Sequence, residues 1–460
     1  MAFIYRYFWL FLLIFIPVIP RVKSLTLIDD PAGSAASDTA LLLDDLLIFL
    51  FVGFVVFKLL VGAAVHGRFR ITVSQFGLYL ASFILYKIVD FSVLAVFLPW
   101  NFIGYNGEGV AVKEGVLVLA KSLAFLGIYG IVYAGLRDRK DISVAVGFFI
   151  ASVVVVVAAG FIQLFVLGHP VLTSTFRNIH ALGIINPGVW GSPDPWFGGS
   201  AVGHEHLGAF MIIAQAIIMG LLLCRWPGSS GMRKIVIVLW LSCLVVLVFA
   251  ASRGAWIGGV VSLAVLTWAA LKIGRMQQLI NIFIVSISVS FIAIEVGDFD
   301  VKKHFDARVK GFSRVLDGEV KDDSALKRME LFQVLWDIYK ERPLFGWGAG
   351  GAGRIAEGQY IRELVEGGII GLTWFCALIA ISTGVTLRLM KQFPDSLSRG
   401  LGVGFIAALA GICGQALFTE LFILTKVGTP IWCMAAIVHR AYSLGLQDGV
   451  SQTATGEVAS

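Results

Sequence analysis

The chain has 460 residues, of which 58% are hydrophobic and 14% are charged, and its mean hydropathy is +0.87. A soluble domain carries about 25% charged and about 45–50% apolar residues, so the apolar excess here must face lipid. This composition excludes a cytosolic enzyme, a secreted disulfide-rich protein and a nucleic-acid-binding protein. The net charge of +6 is less informative than its distribution between loops, because loop charge orients membrane helices.

Apolar runs of about 20 residues, the length that crosses a bilayer, occur throughout the chain. They predict an all-α, polytopic helical membrane protein with about 12 transmembrane helices. Residues 1–442 then form a single membrane domain, and the polar tail at 443–460 is predicted to be disordered. Each predicted span ends at charged residues, prolines or glycines. The spans are 3–20, 46–65, 73–98, 114–136, 142–167, 204–224, 233–250, 255–271, 278–296, 364–388, 400–421 and 425–442.

The basic residues predict the orientation of these spans. With the N-terminus in the cytoplasm, the inward loops contain fourteen basic residues and the short outward loops contain six. Cytoplasmic loops are enriched in lysine and arginine, so both termini are predicted to be cytoplasmic. Two long loops, 168–203 and 297–363, then face outward, and the second lies between helices 9 and 10. That loop contains a predicted amphipathic helix at 324–341.

Ionisable residues lie inside or beside the predicted spans, in the half of the bilayer that this orientation places outside. Lys87 and Asp90 are three residues apart in the third span, so they share a helix face and can neutralise each other. A structural ion pair would explain Lys87 and Asp90 alone. Four further ionisable residues lie in the same half of the bilayer, namely Lys121, Arg253, Glu420 and Lys426. Six such groups in one leaflet favour a polar cavity that opens outward.

Three segments in the second half of the chain form a recognisable pattern. The first is Ala-Ser-Arg-Gly-Ala-Trp-Ile-Gly around Arg253, at an outward helix junction. The second, 324–350, contains Arg328 and a glycine-rich run, and the third, 357–371, leads into the tenth span. In this order, with a long outward loop, they resemble the O-antigen ligase and polysaccharide polymerase family of the bacterial inner membrane. The resemblance covers roughly residues 200–390.

The resemblance implies an enzyme of the bacterial inner (cytoplasmic) membrane, which we predict to be metal-independent and to need no cofactor. Such an enzyme transfers a glycan from an undecaprenyl diphosphate donor to an acceptor hydroxyl at the outer face, without a nucleotide sugar. The implied partners are undecaprenyl diphosphate-linked glycans, as donor and as acceptor, and membrane lipids. Chain-length regulator and flippase proteins are further candidate partners, and nucleic acid is not expected.

One departure from the family pattern bears on the reaction. Ligases of this family resemble His-Asn-x-Tyr-Leu-x-x-Leu-x-Glu-x-Gly at the third segment. The register fixed by Tyr360, Leu364 and Glu366 places Glu357 where the histidine would be and Gly358 where the asparagine would be. Because the ligase histidine is absent, we predict a repeat-unit polymerase in which Glu357 accepts the proton of the acceptor hydroxyl. An O-antigen ligase or protein O-oligosaccharyltransferase of the same family is the alternative.

The predicted catalytic residues follow from this chemistry. Negative charge develops on the diphosphate as the anomeric C–O bond breaks, and arginine holds phosphate oxygens bidentately. Arg253 and Arg328 match family positions and therefore join Glu357. The alternatives are a snorkelling arginine for Arg253, a solvated helix face for Arg328 and a surface carboxylate for Glu357. The predicted substrate-binding residues are Arg177, His204, Glu205, His206 and Tyr360.

The cluster His204-Glu205-His206, which opens the sixth span, provides a second candidate base in Glu205 or His206. A His-x-His pair can bind metal, but no third ligand stands at a recognisable spacing, so no metal site is predicted.

A transporter is the competing class, because twelve spans and buried charges also occur in secondary carriers. Carriers of the commonest twelve-span plan have two similar halves, often with a long central loop in the cytoplasm. This chain has its long charged loop outside, between helices 9 and 10, and shows no evident internal repeat. The sequence therefore favours the enzyme.

Overall fold

The computed structural model describes residues 2–15, 21–26, 40–66, 74–97, 110–161, 179–180, 204–226, 229–250, 252–296, 323–353, 356, 358–392 and 395–457. Within these ranges the chain forms thirteen α-helices and three short strands. The helices are α1 (Ala2–Ile14), α2 (Leu43–His66), α3 (Gln75–Phe97), α4 (Val110–Gly135), α5 (Arg139–Phe161), α6 (His204–Leu223), α7 (Ser230–Phe249), α8 (Arg253–Ile273), α9 (Met276–Val296), α10 (Asp323–Glu341), α11 (Gln359–Gln392), α12 (Ser396–Gln415) and α13 (Thr425–Glu457). The strands β1 (Arg21–Thr26), β2 (Ala40–Leu42) and β3 (Ile179–His180) form an antiparallel sheet in the order β2-β1-β3.

A polytopic helical membrane protein is confirmed. Each of the twelve predicted spans overlaps a helix, and the thirteenth helix, α10, is the predicted amphipathic one. Among the described residues, seven helices are long and apolar enough to cross a bilayer, namely α4, α5, α6, α7, α8, α11 and α12. The count of about 12 spans and the outward position of the 297–363 loop remain predictions.

Helix α13 runs to Glu457, past Ser443, where the sequence predicts the start of a disordered tail. The earlier part of the same helix, from Thr425 to Leu444, is largely buried in the bundle. Extending an existing helix adds one hydrogen bond per residue without a new nucleation step, which gives a physical reason for helix in so polar a sequence.

Helix α6 is the centre of the bundle, and its apolar residues are buried on all sides. It packs against α8 and α12 at small residues. A Cβ added at Gly404 of α12 would lie 2.6 Å from the Cα of Ile217 in α6, and one at Gly411 would lie 2.8 Å from the carbonyl oxygen of Gly258 in α8. Such close approach of backbones is the usual basis of helix association in membranes, so these three helices form one tightly packed unit.

A buried polar chain joins α3, α4, α11 and α13 within the bundle. The Ser74 hydroxyl before α3 lies 2.7 Å from the Tyr129 hydroxyl of α4, which lies 3.0 Å from Nδ1 of His439 in α13. The other ring nitrogen, Nε2, lies 3.1 Å from the Ser382 hydroxyl of α11. Hydrogen bonding compensates the burial of these polar groups, and the chain fixes how the four helices sit against one another.

Candidate active site

Helices α6, α8 and α11 begin, and α12 ends, at the same end of the bundle, which we call the site end. The Gln415 side-chain nitrogen, at the end of α12, donates to the Glu205 carbonyl oxygen in the first turn of α6 (3.1 Å). The backbone N–H of Gln359, which opens α11, donates to the Ala416 carbonyl oxygen (2.8 Å). A Cβ at Gly254 of α8 would lie 3.5 Å from the Gln415 side chain. The sixth-span cluster and the first and third sequence segments therefore meet here.

A cavity of about 550 Å³ opens at the site end, between α10, the start of α11 and the residues after α12. Its walls are mostly apolar, with Arg328 and Lys340 as cationic groups and Asp337 as the acidic one. Such a cavity suits a ligand with an apolar body and an anionic head. The lining residues are Arg328, Met329, Leu331, Phe332, Gln333, Leu335, Trp336, Asp337, Lys340, Gly358, Ile361, Leu417 and Phe418.

Two predicted site residues that are far apart in sequence come into contact. A guanidinium nitrogen of Arg328 lies 3.5 Å from a carboxylate oxygen of Glu205, whose other oxygen accepts a hydrogen bond from the Thr419 hydroxyl (3.2 Å). The Arg328 side chain is 33% exposed, so solvent screens this long ion pair and it adds little stability. The contact brings Arg328, which lines the cavity, next to Glu205 in the first turn of α6.

Arg253 is the first residue of α8 and is half-buried. The Ser252 hydroxyl caps this helix by accepting a hydrogen bond from the backbone N–H of Ala255 (3.3 Å). The next residue, Gly254, faces Phe418, with 3.5 Å between a Cβ built on the glycine and the Cβ of Phe418. Because Phe418 lines the cavity, Arg253 begins its helix beside the same wall.

The glycine-rich run of the second segment docks on the third segment through backbone hydrogen bonds. The N–H groups of Trp347 and Gly348 donate to the carbonyl oxygens of Val365 and Glu366, each at 2.8 Å. A Cβ at Gly346 would lie 2.6 Å from the Glu366 carbonyl carbon, so only glycine allows this approach. The left-handed backbone angles of the run also favour glycine, at Gly346, Gly348, Gly350 and Gly353.

Helix α11 is kinked at Gly368, where φ is 62° and ψ is −163°. The kink frees backbone groups that the docked run and α3 then satisfy. The N–H of Ile369 donates to the Pro343 carbonyl oxygen (2.9 Å), and the Tyr86 hydroxyl donates to the Gly367 carbonyl oxygen (2.7 Å). The kink thus separates the first turns of α11, in which Ile361 lines the cavity, from the rest of the helix, and these contacts hold them in place.

Lys87 of α3 forms its closest ion pair with α11. Its ammonium nitrogen lies 2.8 Å from one carboxylate oxygen of Glu363 and 4.0 Å from one of Glu366. The sequence suggests Asp90 as the partner because only residues three or four apart are visible as helix neighbours. Lys87 and both glutamates are buried, so the ion pair between Lys87 and Glu363 is shielded from solvent.

Arg362 continues the buried network on the other side of Glu366. Its guanidinium lies 2.8 Å from Glu366 and 2.6 Å from Glu420, and it donates to the Gly353 carbonyl oxygen at 2.9 Å. The same Glu366 oxygen accepts the backbone N–H of Gly350 (3.0 Å). Charge-assisted bonds of this kind are about twice as strong as neutral ones, and they anchor the glycine-rich run to α11.

The other predicted residues are placed as follows. Glu357 and Arg177 lie outside the described residues, and for His204 only the backbone is described. His206 is buried in the first turn of α6. The Tyr360 hydroxyl donates to the Cys413 carbonyl oxygen of α12 (3.0 Å). Their roles, including the substrate contact predicted for Tyr360, remain proposals.

Sequence reasoning did not assign a role to Gln359, Arg362 or Glu363, which the structure buries at the site end. The sequence does contain an indication of their importance. Arg362, Glu363 and Glu366 lie close together at the start of an apolar span, where charges are costly unless they are paired. Within the described ranges, no group of three or more His, Cys, Asp or Glu side chains is arranged to hold a metal ion.

The comparison with known families decides the identity of this region. Residues 237–385, about a third of the chain, match the family model described as O-antigen ligase. This region of the chain is therefore similar to the O-antigen ligase family. The resemblance seen in the three segments is thereby confirmed for this region, and the match supports a membrane enzyme of the O-antigen ligase and polymerase type. The matched O-antigen ligase domain includes Arg253 and Arg328, whereas α3 and α6 lie outside it. No curated protein was found to match the chain.

Proposed function

We propose that the protein is an extracytoplasmic glycan polymerase. It transfers undecaprenyl diphosphate-linked oligosaccharide repeat units onto a growing lipid-linked polysaccharide, such as O-antigen, capsule or exopolysaccharide. The observation that carries the proposal is the meeting of three separate segments around one cavity of about 550 Å³: Arg328 and the start of α11 line it, and α8 begins with Arg253 beside its wall at Phe418.

The cavity suits the donor. Arg253 and Arg328 supply cations for the diphosphate, and the N-terminal ends of α6, α8 and α11 add a positive potential at the same end of the bundle. The apolar walls at Phe332 and Trp336 suit the first isoprene units or a sugar face. Arg177 of the other long loop is a further candidate for the donor by its predicted position alone.

The reaction requires one bond to form and one to break. The acceptor hydroxyl oxygen attacks the anomeric carbon of the donor glycan, the C–O bond to the diphosphate breaks, and undecaprenyl diphosphate leaves with the electron pair. Arg253 and Arg328 stabilise the charge that develops on the diphosphate. The hydroxyl proton passes to Glu357, whose neighbour Gly358 lines the cavity.

The choice of polymerase over ligase rests on Glu357 at the position of the ligase histidine. The description of the matched family favours the ligase, or a protein O-oligosaccharyltransferase, as the second candidate. The purified protein should therefore be given lipid-linked glycan extracted from the source cells, with and without a separate lipid or protein acceptor. A polymerase forms a product ladder from the lipid-linked glycan alone. Transfer only to the separate acceptor would establish the ligase and overturn the polymerase.

The proposed location is the bacterial inner membrane, with both termini in the cytoplasm and residues 297–363 outside. A cysteine introduced at Ser313 should then react with an impermeant thiol reagent in intact cells. The reason is that the loops richest in basic residues, which are predicted to be cytoplasmic, lie at the other side of the membrane from Ser313. The control is Ser229→Cys, in a loop predicted to be cytoplasmic, which should react only after lysis. Labelling is measured against the unmodified chain. The reverse pattern would invert the orientation and contradict the proposed enzyme.

A further inference from the structure

We infer that Lys87 is a positioning residue of this active site, which fixes the cavity wall through Glu363 and Gln359 without touching substrate. The inference deepens the proposed function and rests on it for its kinetic consequence. It concerns a helix, α3, that contributes to none of the three segments and lies outside the 237–385 family match.

The first step is the strength of the anchor. Lys87 is 4% exposed, and its ammonium nitrogen lies within 2.9 Å of both oxygens of Glu363. Removing one partner of such a buried pair leaves the other charge without compensation, which is strongly unfavourable. Glu363 is therefore held in one position relative to α3.

The second step links Glu363 to the cavity wall. The Glu363 oxygen that accepts from Lys87 also accepts the side-chain amide of Gln359 (3.0 Å). Gln359 is fully buried, its backbone N–H donates to the Ala416 carbonyl oxygen (2.8 Å), and its side-chain oxygen accepts the backbone N–H of Phe422 (3.3 Å). One glutamine thus clamps both ends of the 416–422 segment, which contains the lining residues Leu417 and Phe418.

The third step is that the cavity wall has little room to move. A Cβ on Gly358 would lie 2.8 Å from the Leu417 carbonyl oxygen, so the start of α11 and the wall are already at contact distance. If Gln359 shifts, Gly358 must shift with it, and Gly358 directly follows Glu357 in the chain. A displacement of about 1 Å at a reacting group can lower turnover about 100-fold.

Glu366 gives Lys87 a second, weaker connection. It lies 4.0 Å from the Lys87 ammonium and accepts the backbone N–H of Gly350 (3.0 Å). Arg362 also pairs with Glu366 at 2.8 Å, so Glu366 keeps a cationic partner when Lys87 is removed. The specific consequence of losing Lys87 therefore falls on Glu363 and Gln359.

The test compares Lys87→Met, Lys87→Arg and the double variant Lys87→Met/Glu363→Gln. The double variant leaves no unpaired buried charge at this pair, so it keeps the fold while losing the bridge to α3. Turnover per folded molecule is measured with lipid-linked glycan from the source cells. We expect kcat to fall about 10- to 100-fold in both methionine variants, with the donor KM little changed and most turnover restored by arginine. The control is Lys272→Met, because Lys272 is an exposed lysine in the last turn of α8, away from the site end.

A second measurement does not depend on activity. Leu417 is 59% exposed, so Leu417→Cys provides a labelling site on the wall. Its reaction rate with a thiol reagent is followed by peptide mass spectrometry, which resolves it from the five native cysteines. Adding Lys87→Met/Glu363→Gln should change this rate, and adding Lys272→Met should not.

The outcomes separate the inference from the proposed function. Wild-type turnover per folded molecule in the double variant would overturn the positioning role, and so would an unchanged Leu417→Cys labelling rate. If the wild-type protein itself forms no polymer, the proposed function fails. A changed labelling rate would in that case still support the link from Lys87 to the wall.

Discussion

Glutamine in place of Glu357 is expected to lower turnover about 10²- to 10⁴-fold, because the amide keeps the size of the side chain but cannot accept the acceptor-hydroxyl proton. Binding of undecaprenyl diphosphate, measured directly on the purified variant, should be largely kept. The missing product should be polymer, and single lipid-linked units should accumulate in cells.

The matched control for this substitution is Glu341→Gln, which removes an exposed carboxylate at the end of α10 and should retain full turnover. If Glu357→Gln is fully active, the base assignment is wrong and the cluster of His204, Glu205 and His206 becomes the next candidate. If polymer forms normally but fails to reach a final lipid or protein acceptor, the ligase interpretation replaces the polymerase.

Lysine in place of Arg253 should cost about 1.5–3 kcal/mol of transition-state stabilisation, because lysine keeps the charge but loses the bidentate fork that grips a diphosphate. That loss corresponds to a decrease in kcat/KM of roughly tenfold to just over a hundredfold. Expression and folding should remain normal. The measurement is steady-state kinetics on the purified variant, together with the polymer length distribution in cells.

Arg139→Lys is the control, since Arg139 also opens a helix but is exposed and pairs with Asp395 at 3.6 Å. It should leave kcat/KM unchanged. An unaltered polymer length distribution in the Arg253→Lys variant would show that Arg253 is a snorkelling interfacial residue and does not bind phosphate.

The sequence by itself determined the positions of the helices. Apolar runs long enough to cross a bilayer, and the amphipathic pattern at 324–341, are local properties, so each predicted element overlaps a helix of the structure. The three segments were equally readable, because they consist of contiguous residues, and the family match at 237–385 confirms them. A candidate active site could thus be proposed for one region of the chain before any contact within it was known.

Only the tertiary structure decided which charges meet. Sequence spacing shows neighbours on one helix, so it paired Lys87 with Asp90, whereas the bundle places Lys87 against Glu363, 276 positions away. The contact between Glu205 and Arg328 likewise spans 123 positions. Which helix faces lie together depends on close packing at residues such as Gly404. That packing is a property of two surfaces at once, and no single segment of the chain encodes it.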